Sequence, residues 1–190
     1  ALGSFGLVPF TAPVCLITVG VLILASWIFG CFKVRVHAPE IDFLMMEEVL
    51  FFAFFLLWTY LAGFHPEAHG TEKFMDYGFM KAMMRSTAVP AEDLWYSGSG
   101  INYYYGGQFY AVFLTKITFT DVKQTYHLMR TMVASFAFVL PFSITYHLAE
   151  SRACHRIRKE GGNKSQIAPV LGGLLSGGAV SLAGNMHYVI

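Results

Sequence analysis

The stretch Val14 to Phe32, VCLITVGVLILASWIFGCF, decides the fold. It holds no charged residue, and a helix through it crosses a hydrocarbon core of about 30 Å. The absence of charge extends back to Ala1. A signal peptide would show a basic leading region and a small-residue cleavage site. Neither is evident, and the apolar run is too long for a signal core, so the segment reads as a retained membrane span.

Composition agrees with that reading. Hydrophobic residues make up 55% of the 190 and charged residues 13%, against about 25% charged in a soluble domain. A water-soluble protein of this length would lack the polar surface to cover itself. The net charge of +1 supplies no field that would gather nucleic acid, so no nucleic-acid partner is expected. Cys15, Cys31 and Cys154 are odd in number and far apart, which offers neither a disulfide framework nor a CxxC metal site.

The expected architecture is an all-α integral membrane protein of about five transmembrane helices, with a juxtamembrane helix in the long loop between spans two and three. The spans fall near 10–32, 45–64, 102–119, 127–149 and 167–190, in a single membrane domain over 1–190. The second spans only if its helix starts near Phe43 and carries Glu47 and Glu48 at the interface. In the third, Lys116 is placed to snorkel from the far end. The fourth is uncharged from Thr131 to Ala149 and contains Pro141, a kink position. The fifth carries Gly172, Gly173, Ser176, Gly177, Gly178, Ser181 and Gly184, which gives small residues at four-residue spacing on one face, suited to close helix packing.

The loop 65–101 is too long to lack a role. Thr71 suits a helix N-cap, Glu72 then falls in the first turn, Lys81 and Arg85 in the last, and Pro90 forbids continuation. Glu72 and Asp76 are four residues apart, which puts both carboxylates on one helix face beside Lys73, within reach of a shared cation or a substrate hydroxyl. A solvated helix face is the plainer reading of the same charges. His65 and His69 bracket Glu67 in HPEAH. The zinc-protease pattern needs glutamate directly after the first histidine, so these histidines are loop or substrate-contact residues. Trp95 and the run Asn102, Tyr103, Tyr104, Tyr105 suit a membrane interface, and aromatic faces with hydroxyls also suit sugar rings and polyprenyl chains. Three consecutive tyrosines cannot all face one way, so at least one points inward.

The strings TEKFMDYGFMKAMMRS (71–86) and EDLWYSGSGINYYYGGQF (92–109) resemble the signature of the YYY membrane protein family, the DUF2298 domain. The block Glu47 to Tyr60, the opening LGSFGLVPF and the pair Gly184, Asn185 extend the resemblance over essentially the whole chain. Where the family shows PPDPW this chain has Pro90 to Trp95 as PAEDLW, and Gly106 stands where phenylalanine commonly follows the tyrosines. Members are longer, which implies that these residues form an N-terminal portion. The family in turn is similar to GT-C membrane glycosyltransferases.

That resemblance implies transfer of a sugar from a polyprenyl-phosphate donor on the outer face of a prokaryotic cell membrane. Glu72 and Asp76 would be the catalytic acids, as base or as ligands of a divalent cation, magnesium or manganese. Lys73 and Arg85 would hold the donor phosphate, and His65, His69, Trp95, Asn102, Tyr103, Tyr104 and Tyr105 would contact substrate. Partners would be the bilayer, the lipid-linked donor and further helices of a longer chain or another subunit. Two alternatives of other classes are a lipid or polyol transporter or flippase, and a non-catalytic assembly subunit. The basic loop 150–166 is cytoplasmic by the positive-inside rule. Counting two spans back, 127–149 and 102–119, puts the Glu72 loop on that same side, whereas the GT-C resemblance implies the opposite one. Three readings resolve the discrepancy: the third span does not cross, the missing spans of a longer chain override the charge rule, or the glycosyltransferase resemblance fails; the second is the one we expect.

Overall fold

The computed structural model describes residues 8–30, 38–64, 72–160 and 166–183. Their regular structure is helical: α1 (Ala12–Gly30), α2 (Ala38–Ala62), α3 (Lys73–Arg85), α4 (Gly106–Thr118), α5 (Val122–Glu160) and α6 (Ile167–Leu182). An isolated antiparallel bridge pairs Glu92 with Gly100.

One group of helices comprises α1, α3, α4 and the first turns of α5. α1 is apolar all round, and Leu16, Ile17, Leu22, Ile23, Trp27 and Phe29 are all exposed while Cys15 is buried. A helix that shows apolar side chains on every face has no aqueous solution to its packing, and lipid is the environment that satisfies it. Its entry is anchored by Phe10, whose N–H donates to the Thr87 carbonyl at 2.7 Å. Phe10 also stacks on Phe109 of α4 with ring centroids 4.8 Å apart.

α4 lies along α3 and runs in the same direction, because Gln108 meets Asp76 near the start of both helices and Lys116 meets Met84 near their ends. The buried side chains Phe79, Met80, Met83, Ala111, Val112, Val122 and Tyr126 fill the space between α3, α4 and the start of α5. Tyr77 and Tyr126 meet edge to face, and Lys81 approaches Asp121 at 3.8 Å.

A second group comprises α2, the remainder of α5, and α6. Its core is aromatic: Phe54 stacks on Phe138 at 3.7 Å and Phe43 on Tyr146 at 4.4 Å. The Thr59 hydroxyl donates to that of Thr131 at 3.2 Å. Gly173 and Gly177 of α6 face α5 so closely that an added Cβ would meet the Phe142 ring at 2.7 Å and the Phe138 carbonyl oxygen at 2.7 Å. The glycine face therefore serves helix packing, as its spacing predicts. α5 runs through Pro141 as one helix of 39 residues.

Two helices among the described residues are long and apolar enough to cross a bilayer, Ala12–Gly30 and Val122–Lys159. α2 begins at Ala38, earlier than Phe43, and so carries Glu47 and Glu48 inside its 25 residues. The third expected span, 102–119, is not confirmed. Its helix is the 13 residues of α4, a rise of roughly 20 Å, and the run from Asn102 to Tyr105 stays outside it. Lys116 does not snorkel either. It is 8% exposed, and its ammonium donates to the carbonyls of Phe10 at 2.9 Å and Met84 at 3.3 Å.

Candidate functional site

Glu72 is the N-cap of α3 rather than a first-turn residue, and its carbonyl accepts the first helical bond from Asp76 N–H at 3.0 Å. Its side chain makes no cap hydrogen bond and is exposed. Thr71, His65 and His69 lie outside the described residues. Lys73 opens the helix and is exposed.

Asp76, one turn on, is half-buried. The Gln108 side-chain amide donates to its Oδ1 at 2.6 Å, a short bond of the kind made to a charged acceptor. One carboxylate oxygen is thereby fixed and the other keeps its lone pairs. The Gln108 carbonyl oxygen is buried and has no protein hydrogen-bond partner among the described residues.

The aromatic residues are brought to this end of α3 by the loop that joins it to α4. The loop is tied internally: Asp93 Oδ1 accepts the N–H groups of Trp95 at 2.8 Å and Tyr96 at 3.1 Å. Glu92 accepts from Gly98 N–H at 3.2 Å, and Gly98 takes the left-handed φ of 79° that the turn needs. Gly78 on α3 lets the loop come close, since a Cβ there would meet Leu94 at 2.7 Å. Trp95 then stands edge-on to Phe74 and Phe79, and Tyr103 lies against Phe79 and Tyr104.

Trp95, Tyr103 and Tyr104 keep exposed surface, while Tyr105 is half-buried against the core as the inward member of the run. Partial desolvation, followed by the negative charges of Glu72, Tyr104 and Asp76, pushes the Tyr103 phenol above its ordinary value. Tyr103 thus lies within the field of both carboxylates. Asn102 is exposed in the same segment.

Arg85 belongs elsewhere. It closes α3, twelve positions from Lys73 and roughly 18 Å along the axis, and shares a cavity of 300 Å³ with Ser86, Glu92, Asp93 and Leu94. Its neighbours there are carboxylates. Glu72 and Asp76 stand one turn apart at the head of α3, Tyr103 lies against Phe79 and Tyr104, and Arg85 closes the far end of the helix. Gln108 is the member that residue-by-residue reading overlooked, for the signal is the parallel register of α3 and α4, which no local pattern encodes.

Among the described residues no three His, Cys, Asp or Glu side chains cluster as a metal site. Glu72 and the free oxygen of Asp76 could supply two oxygen ligands, which suits a hard cation that completes its shell with water and substrate phosphate.

The long apolar helices with lipid-facing surfaces define a helical membrane protein carrying one polar, aromatic-lined segment. The chain belongs to the DUF2298 family, described as uncharacterized membrane protein, which it matches over residues 1–190. No curated protein and no solved structure matches it.

Proposed function

We propose that the chain carries the catalytic acids of a membrane glycosyltransferase that takes sugar from a polyprenyl-phosphate donor at the outer face of a prokaryotic cell membrane. The observation that carries this reading is the Asp76 carboxylate, held by Gln108 at 2.6 Å one turn from the uncommitted Glu72, beside exposed aromatic rings. A base must be positioned before it is useful, and Gln108 supplies that positioning. Glu72 or Asp76 takes the proton of the acceptor hydroxyl as its oxygen attacks the anomeric carbon. The bond from that carbon to the phosphate oxygen breaks, and its electron pair leaves with the polyprenyl phosphate. Lys73, exposed at the head of α3, offsets the charge that develops there. A divalent cation, when bound, would supply the same stabilisation. Trp95, Tyr103 and Tyr104 offer ring faces to the sugar and apolar edges to the prenyl chain.

Helix lengths support the topology that this reading needs. α4 is a short helix laid along α3, so α5 is the single crossing between the Glu72 segment and the basic loop 150–166. With that loop in the cytoplasm, Glu72 and Asp76 face outward. A non-crossing third helix thus removes the discrepancy without appeal to missing spans. Five crossings within this chain are then not required.

The test is sugar transfer from polyprenyl-phosphate donors by the full-length protein in proteoliposomes. Glu72→Gln and Asp76→Asn each should reduce transfer by at least about a hundredfold, the usual contribution of a positioned acid or base. Undiminished transfer in both variants would remove the pair from the mechanism. Donor movement across the bilayer without transfer would support a flippase instead.

A further inference from the structure

The last turns of α5 carry a charge pattern that the α3 site does not use. Between Ser151 and Lys159 the sequence SRACHRIRK holds Arg152, His155, Arg156, Arg158 and Lys159 and no acid. Arg152, Arg156 and Lys159 follow at helical spacing and form one stripe, with His155 at its edge. All four are exposed, and with Ser151 they line an open cavity of about 540 Å³. Ala153 and Ile157, on another face of the same turns, are half-buried. The basic stripe is thus the more exposed face of these turns.

The apolar part of α5 says where along a bilayer normal the stripe falls. Val133, Leu140, Ile144 and Leu148 are exposed apolar side chains, and no charge interrupts 131–149. That segment fills most of a hydrocarbon core of about 30 Å. Arg152 comes one turn after Leu148, which is headgroup depth. Guanidinium forks match phosphate oxygens in pairs, and an ammonium adds a point charge. Cations at this depth are drawn to anionic lipid.

We propose that the C-terminal turns of α5 form a binding surface for anionic phosphate headgroups of the adjoining leaflet, with Arg152, Arg156 and Lys159 as its cations. The surface is independent of the glycosyltransferase reading. Free phosphate offers the same oxygens, but it lacks the acyl chains that would hold it against the α5 apolar face.

The experiment is native mass spectrometry of the full-length protein in neutral detergent, titrated with phosphatidylglycerol or phosphatidylcholine. The wild type should retain phosphatidylglycerol at least about fivefold more tightly, the effect of one basic residue at a membrane surface. The triple variant Arg152→Ala, Arg156→Ala, Lys159→Ala should lose that preference, whereas Arg158→Ala, off the stripe, should keep it. Equal retention by the wild type and the triple variant would overturn the proposal. Displacement of the lipid by equimolar inorganic phosphate would overturn it too, since the site would then be one for a soluble anion.

Discussion

Asp76 and Gln108 are 32 positions apart in sequence and meet at 2.6 Å. A hydrogen bond to a charged group contributes about 1.5–3 kcal/mol. Gln108→Leu should therefore lower the unfolding temperature and, in the transfer assay, depress kcat more than KM, because it frees the carboxylate without removing it. Gln108→Asn, which keeps the amide on a shorter stem, should recover part of the loss. Unchanged kcat in Gln108→Leu would leave Gln108 with a structural role alone. The one-turn separation of Glu72 and Asp76 on α3 was legible in sequence because it is local. Gln108 was not, since its role arises only when α4 lies on α3. Lys116 was misread for the same reason: charge at the end of an apolar run looks like snorkelling until the carbonyls of Phe10 and Met84 are placed beside it. Burial pushes the Lys116 ammonium below its ordinary 10.5, against a smaller opposing pull from Cys15. The folded protein thus releases this proton before the unfolded chain does. Stability from this group should rise with pH in the interval just below 10.5 and be flat at lower pH, where both states are protonated. Thermal unfolding of wild type against Lys116→Met across that interval should show the difference narrowing or widening in the wild type's favour as pH rises. A pH-independent difference would contradict the assignment.

At the scale of elements, the long apolar runs announced α1 and α5, and the small-residue spacing announced the packing face of α6. What the sequence could not show is which glycines on α6 touch a neighbour. Gly177 would bring a Cβ within 2.7 Å of the Phe138 carbonyl oxygen, a backbone atom that cannot step aside, while Gly178 meets nothing within 4 Å. Gly177→Ala should cost about 1–3 kcal/mol as overpacking. Gly178→Ala should be neutral or stabilising by up to about 1 kcal/mol through helix propensity. Thermal unfolding of the two variants in detergent checks the contrast, and equal effects would show that α6 does not pack on α5 in this register. α4 was the element hardest to read. Its 13 residues follow a run of tyrosines and glycines, and hydropathy alone joins that run to the helix and makes a span of it. The side-by-side register with α3 separates them.

For the molecule as a whole, α4 decides the topology. If it crossed the bilayer, the Glu72 segment and the basic end of α5 would share a side. On the proposed reading α4 does not cross, α5 is the one crossing between them, and the outward-facing acid that lipid-linked sugar transfer needs is compatible with a cytoplasmic basic end. Family membership establishes a membrane protein, and the side on which its carboxylates sit is what separates the catalytic reading from its rivals. Thiol labelling of intact and permeabilised cells tests this directly. Cys154 is an exposed native reporter at the basic end, and Ser97→Cys places another in the exposed loop beside Trp95, with the remaining cysteines replaced by serine. The account predicts that a membrane-impermeant maleimide labels position 97 in intact cells and Cys154 only after permeabilisation. Labelling of both from the same side would contradict it.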